Sequence, residues 1–288
     1  MDLIERLVKE GYEEQAEILE RYAADSIRLK TEAGGEGDFE LGESKIGGCP
    51  HLPPDFTWPK FENNPLSFLA QLNLADVARY DSSKRLPESG MLYFFHEGGM
   101  DVWGFDPNDR DGFRVIHYDG DLSKLKVTPL PNLKSKHEYL TFKPCKLTFE
   151  NAKSYPDNEY LEMLSQIPAG SNKSFFNEGF DEIVAEYKDA IAPHHKLFGY
   201  PDLIQNEIFL EAQLVSNELY CGNETGYRDP RAEDLKEGAG DWMLLFQIDT
   251  DGNAEMMWGD CGMLYFVIKK DDLTRRNFDA AWAIVQCF

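Results

Sequence analysis

The sequence predicts an α+β protein: a mostly antiparallel β-sheet built from two pseudo-repeated strand units, covered by an N-terminal helix and a central helical segment. Three observations lead there. Phe68-Leu69-Ala70-Gln71-Leu72-Asn73-Leu74, followed by Gly90-Met91-Leu92-Tyr93-Phe94-Phe95, is echoed by Leu244-Leu245-Phe246-Gln247-Ile248-Asp249, followed by Gly262-Met263-Leu264-Tyr265-Phe266-Val267. Self-similarity of this kind marks a duplicated supersecondary unit. Aromatic residues make up 13% of the chain and 23 residues are glycine, which leans toward strands and tight turns. Apolar residues at three- and four-residue steps mark helices near the start and in the middle.

The elements follow in order. Leu3, Ile4, Leu7, Val8, Tyr12, Ile18, Leu19 and Tyr22 form an apolar stripe, predicting a helix or helix pair over residues 1–30 with a break at Gly11. Residues 31–42, with four glycines and four acidic side chains, read as a loop. Ser44–Pro59 is proline-rich, an extended ordered loop pinned by Leu52 and Trp58. Strands are predicted at 68–74, 91–96, 100–105 and 113–118, with a turn over Asp106–Gly112 and an edge strand within 136–149. Helices are expected at 158–167 and 179–191, the second from Phe180, Ile183, Val184 and Tyr187. A second β block comprises 207–214 (strand or short helix), 242–249, 254–258 and 262–268, with Asp251-Gly252 as a hairpin turn. The alanine-rich stretch 279–286 reads as a closing helix. No linker separates the halves, so a single domain 1–288 is expected: helical segment 1–30, first β unit 44–150, helical insertion 151–197 and second β unit 198–288.

The bulk properties narrow the function classes. At 288 residues and 42% hydrophobic composition the chain can bury a core. The net charge of −23 disfavours nucleic acid and anionic membranes as partners and would steer a basic protein toward the surface. No apolar run reaches the roughly 18 residues of a membrane span, and the N-terminus lacks a signal pattern, so a cytoplasmic setting is expected. Cys49, Cys145, Cys221, Cys261 and Cys287 are scattered, odd in number and without a CxxC pair. That pattern argues for reduced thiols and against a disulfide framework or structural zinc; no metal and no cofactor are expected.

Three stretches resemble the YwqG-like family of bacterial proteins. They are Ser44-Lys45 with Gly47-Gly48, Pro50, Leu52-Pro53 and Trp58-Pro59; then Phe68–Leu74 leading to Gly90–Phe94; and a C-terminal set. The last comprises His195, Gly199-Tyr200-Pro201, Gln205, Leu244–Asp249, Trp258-Gly259-Asp260, Gly262, Leu264-Tyr265-Phe266 and Gln286-Cys287. The resemblance spans residue 46 to the C-terminus and is weakest over 100–175. It implies a mixed α and β fold and transfers no catalytic residue.

Candidate sites follow from residue chemistry. Gln71 and Gln247 sit at matching places in apolar strands, and a buried amide must find partners, so both are expected to tie down loop backbone. His194-His195 offers acid–base chemistry, but adjacent residues point apart and no zinc-type helix pattern surrounds them. A nucleophilic set from Cys261, His195 and Asp260 lacks the surrounding elbow motif, and no catalytic residues are assigned. Asp249–Glu255 places its glycine fourth, unlike a calcium loop, and Ser44–Gly48 puts its lysine before the glycines, unlike a phosphate loop. The expected binding groove joins Lys45 and Trp58 on one wall to Tyr200 or Trp258 on the other, with His195, Gln205 and Asp260 as polar contacts. Two functions follow: a non-catalytic, acidic protein-binding module of antitoxin or immunity type, or a small-molecule site or enzyme in the cleft between the repeats.

Overall fold

A computed structural model describes residues 2–131, 141–157, 161 and 176–288. Ten strands make one antiparallel sheet: β1 (Ala24–Ala33), β2 (Lys45–Ile46), β3 (Ser67–Asn73), β4 (Met91–His96), β5 (Phe113–Tyr118), β6 (Cys145–Ser154), β7 (Lys196–Leu197), β8 (Trp242–Asp249), β9 (Met263–Lys269) and β10 (Trp282–Gln286). Their spatial order is β10-β9-β8-β7-β1-β6-β2-β3-β4-β5. The long pair β1–β6 holds the centre, in register from Ala24 opposite Ser154 to Ala33 opposite Cys145.

The sheet curls until its ends meet, giving a nearly closed, barrel-like core. Phe94 of β4 packs on Phe246 of β8 and Phe266 of β9, with ring centroids 4.7 and 5.2 Å apart. Phe113 of β5 meets Trp282 of β10 at 5.2 Å. The segment before β5 completes the seam: Val285 N–H donates to the Trp103 carbonyl at 3.0 Å, and Trp282 Nε1 donates to the Gly104 carbonyl at 2.8 Å. Backbone approach here is so close that a Cβ on Gly104, at φ +86°, would lie 1.9 Å from the Ala283 oxygen. Closure satisfies edge groups that an open sheet would leave bare.

Five helices matter for the site: α1 (Leu3–Lys9), α2 (Glu13–Tyr22), α3 (Leu74–Ala78), α4 (Glu178–Ile191) and α5 (Ile208–Val215). Gly11, at φ +88°, separates α1 from α2. Leu3, Leu7, Ala16, Leu19, Leu161, Phe176 and Phe180 form a small core of their own, distinct from the barrel interior. Asn177 caps α4 by accepting the Phe180 N–H at 3.1 Å.

Several expectations are corrected. Residues 24–30, expected in the helix, and 31–33, expected in the loop, form the central strand β1; Ile27 and Leu29 are buried while Arg28 and Lys30 lie on the other face, a period of two masked by the helical stripe before it. The segment within 136–149 was expected at an edge, yet β6 lies mid-sheet between β1 and β2; residues 132–140 lie outside the described ones. Residues 100–105 form no strand, since Met100 and Gly104 take left-handed φ of +67° and +86°. Residues 254–258 make only an isolated bridge, Met256 to Asp251, so β8 pairs with β9 across a longer connection. Residues 282–286 form strand β10 rather than a helix: Trp282, Ile284 and Val285 suit a strand, and pairing with β9 outweighs the helix propensity of the alanines at 280, 281 and 283. The 207–214 segment resolves as α5, and all of the predicted helix 158–167 except Leu161 lies outside the described residues.

Candidate functional site

The two short strands β2 and β7 each open a loop of matching sequence, Lys45-Ile46-Gly47-Gly48-Cys49-Pro50-His51-Leu52 and Lys196-Leu197-Phe198-Gly199-Tyr200-Pro201-Asp202-Leu203. Lys45 lies opposite Gln71, which lies opposite Tyr93; Lys196 lies opposite Gln247, which lies opposite Tyr265. The hydrogen bonds match as well. Gln71 Oε1 accepts the His51 N–H at 2.7 Å and its Nε2 donates to the Glu43 carbonyl at 2.7 Å. Gln247 Oε1 accepts the Asp202 N–H at 2.9 Å and its Nε2 donates to the His194 carbonyl at 2.8 Å. The tyrosines finish each set, Tyr93 donating to the His51 carbonyl at 2.7 Å and Tyr265 to the Asp202 carbonyl at 2.6 Å. Both glutamines are fully buried, and their bonds stay within their own half of the sheet.

Among the positions at which the loops differ, the residue after the proline changes the chemistry most. At His51 the ring accepts the Gly42 N–H at Nδ1, 2.9 Å away, and burial drives its pKa down to about 4. At Asp202 the carboxylate takes the Lys196 ammonium, the Lys188 ammonium at 3.3 Å and the Gln247 amide at 3.0 Å. Burial alone would raise the Asp202 pKa, but Lys196, Lys188 and His194 hold it well below the carboxylate range. Burial lowers the Lys196 pKa and Asp202 partly restores it, so we take the pair as ionised at neutral pH. Lys45 is buried too, with Glu36 at 3.4 Å and the Phe39 ring 4.8 Å beneath its ammonium; burial lowers its pKa.

Beside Asp202 lies a cavity of about 310 Å³. Leu3, Leu19, Phe180, Val184 and Ile191 line one side, and Ser26, Arg28, Ser154, His194 and Lys196 line the other. Tyr155 and Tyr187 flank its mouth toward a second, more open hollow that shares Arg28. Burial raises the pKa of both tyrosines, keeping their hydroxyls as donors. Arg28 reaches Glu150 at 3.2 Å and the Ile191 carbonyl, while its buried Nε has no hydrogen-bond partner among the described residues. Burial lowers the His194 pKa against the pull of Asp202 and Asp249, so the ring is neutral at pH 7.

Of the residues expected in the groove, only His195 lines this cavity. Its ring is fully committed: Nδ1 accepts the Asp249 N–H at 3.1 Å and Nε2 lies 3.1 Å from Asp251 Oδ2. Accepting at Nδ1 puts the proton on Nε2, which leaves no lone pair for a substrate. Burial would raise the Asp251 pKa, but hydrogen bonds from His195 and Thr31 hold it low. Lys45 and Tyr200 stand on opposite sides of the β1–β6 pair; three strand spacings, roughly 14 Å, separate β2 from β7. Trp58 packs edge-on against Phe95 and donates Nε1 to the Leu66 carbonyl. Trp258 is wholly buried between His96 and Phe142. Gln205 and Asp260 do come near one another: Gln205 Nε2 donates to the Cys287 carbonyl, and Asp260 accepts the Phe288 N–H.

The family described as Domain of unknown function (DUF1963) matches residues 44–287. The chain belongs to this family. No curated protein matches it. The DUF1963 match takes in both Lys-x-x-Gly-x-Pro loops, both glutamines and α4, whereas α1, α2 and β1 precede it. Arg28 of the cavity is therefore supplied from outside the matched segment. Sequence reasoning passed over Arg28, Tyr187, Lys196 and Asp202; the shared Lys-x-x-Gly-x-Pro spacing of the two loops was the signal that could have exposed the last two. Among the described residues no cluster of histidine, cysteine, aspartate or glutamate could hold a metal ion, and no helix is long and apolar enough to cross a membrane.

Proposed function

We propose that this DUF1963 protein binds a small, partly apolar molecule in the cavity between α4 and strands β1, β6 and β7. The carrying observation is that cavity itself, which joins an apolar wall to a cluster of polar groups centred on Arg28 and the Lys196–Asp202 pair. Enclosed, mostly apolar space with a few convergent polar groups is the usual form of a ligand site. The role is binding rather than catalysis, since His195 has no free lone pair and Asp202 is held as a charged partner of two lysines. Helices α1, α2 and α4 then act as a cover over the central strands, and the matched Lys–Gln–Tyr rows descend from a duplication in which one loop kept a carboxylate and the other a histidine. The resemblance to YwqG-like proteins suits a bacterial, cytoplasmic member of the family.

Native mass spectrometry of the purified protein tests this. A bound small molecule present on the wild type and absent from a folded Val184→Trp variant supports the reading. Identical spectra, with no bound molecule and no thermal response of the wild type to a library of small amphiphiles, would sink it.

A second reading rests on the −23 charge, which favours a basic protein partner of the kind an immunity or antitoxin protein meets. Lys45 and Trp258 are buried and take no part in it; of the expected residues, Gln205 and Asp260 are the exposed ones, at a corner beside Phe288, which is 82% exposed. Association that weakens steeply with salt would support it; salt-independent association would overturn it.

A further inference from the structure

Building on the ligand-cavity reading, we infer that the ligand is a compact aromatic molecule whose ring lies against Arg28 and Lys196. The half of the sheet that carries β2 shows why. Arg28 of β1 is opposite Lys196 of β7, and Lys146 of β6 is opposite Lys45 of β2, so two pairs of cations match across the central strands. Eight residues beyond Arg28 and Lys146 come Glu36 and Ser154; four residues beyond Lys45 and Lys196 come Cys49 and Tyr200. These bond alike, Glu36 Oε1 accepting the Cys49 N–H at 2.7 Å and Ser154 Oγ accepting the Tyr200 N–H at 2.7 Å. The approach is equally close in both: a Cβ on Gly48 would lie 2.5 Å from Glu36 Oε1, and one on Gly199 would lie 2.2 Å from Ser154 Oγ.

Around β2 the chain itself fills the space beside the two cations. The Phe39 ring centroid lies 4.8 Å from the Lys45 ammonium and 6.0 Å from that of Lys146, while Glu36 Oε2 stands 3.4 Å from Lys45. Around β7 the serine brings no carboxylate, and Asp202 takes that place on Lys196. The ring has no such substitute. Arg28 and Lys196 both line the cavity, and among the described residues no aromatic ring lies over either. Arg28 commits donors in its plane to Glu150 and the Ile191 carbonyl, which leaves the guanidinium face open to a ring. The cavity, at about 310 Å³, has room for one, since an apolar cavity of roughly 150 Å³ takes up benzene. Leu19, Val184 and Ile191 supply apolar contacts for the ring edge.

The test is an NMR titration of the full-length protein, freed of small molecules by gel filtration and carbon-labelled at lysine and arginine. The probes are benzyl alcohol and cyclohexylmethanol, which share a hydroxymethyl group and a six-membered ring and differ in the π face. Benzyl alcohol is expected to bind about five- to thirtyfold tighter, the range of a desolvated cation–π contact. It alone should move the Arg28 δ and Lys196 ε protons upfield, as protons above a ring face move. The Arg28→Met variant should shrink the preference several-fold, and an undiminished preference in the folded variant overturns the inference. Because Arg28 also ties Glu150 to Ile191, the wild-type upfield shifts decide the matter should that variant fail to fold. Equal affinities, tighter binding of cyclohexylmethanol, or a preference without those shifts overturns the aromatic inference and leaves the ligand cavity standing. Binding of neither probe overturns the aromatic inference as well; the reading of the cavity itself falls only if the spectra and library screen above are also blank.

Discussion

Glu211 provides a quantitative test of how this fold handles a buried carboxyl. It sits on α5 with 2% of its surface exposed, its Oε1 accepting the Tyr227 hydroxyl at 2.7 Å and its Oε2 without a partner among the described residues. Burial outweighs the Tyr227 hydrogen bond and pushes its pKa from 4.5 up to about 7. A folded-state pKa above the unfolded one means that the folded state binds the proton more tightly. The associated stability is fully present below about pH 4.5 and is lost as pH rises through 7. At 1.36 kcal/mol per pH unit, the loss between pH 4.5 and 8.5 is roughly 3 kcal/mol. The Glu211→Gln variant keeps the Tyr227 acceptor and cannot ionise.

Urea unfolding of both proteins from pH 5 to 8.5 gives the stability difference at each pH. Taking the difference matters because His51 and His96, whose pKa values burial lowers to about 4 and about 3, contribute with the opposite sign. Their stability is present above the unfolded histidine pKa of 6.5 and is lost as pH falls. The variant is expected to gain on the wild type by roughly 3 kcal/mol across that range. A difference that stays flat within about 1 kcal/mol would refute the claim that Glu211 is held neutral by burial.

Two further outcomes are expected. Gln247→Leu strands the Asp202 N–H and the His194 carbonyl in the core and should cost roughly 2–5 kcal/mol in urea unfolding, with Gln71→Leu similar; a cost below about 1 kcal/mol would show that the loops are held by other means. Gly104→Ala should destabilise by more than about 3 kcal/mol, because the added Cβ strikes the Ala283 carbonyl at the barrel seam; hydrogen exchange should then quicken first in β10, and unchanged protection there would count against closure through this contact.

The chain by itself announced its class, its two glutamine-bearing strand pairs and α4, because each of these is encoded locally. Alternation marks β5, a continuous apolar run marks β4 and β9, and a three-to-four step marks α4. It also exposed the matching positions of Gln71 and Gln247. Other features depended on which residues the fold brings together. Residues 24–33 and 145–154 are rich in charge and weak in pattern, yet they become the sheet's centre through a long mutual pairing, from Ala24 opposite Ser154 to Ala33 opposite Cys145, that neither stretch encodes alone. Strand β10 follows Ala280-Ala281 and is only five residues long, and it becomes a strand where β9 and the Trp103–Gly104 seam offer it partners. The cavity draws Arg28 from β1 to Tyr187 of α4 and Lys196 of β7, more than 150 residues away, and none of them carries a mark in the sequence that predicts the others. Trp258 shows the converse: a residue type favoured at interfaces, sealed here inside the barrel. Local periodicity is written along the chain; enclosure and charge balance are sums over neighbours that only the closed sheet assembles.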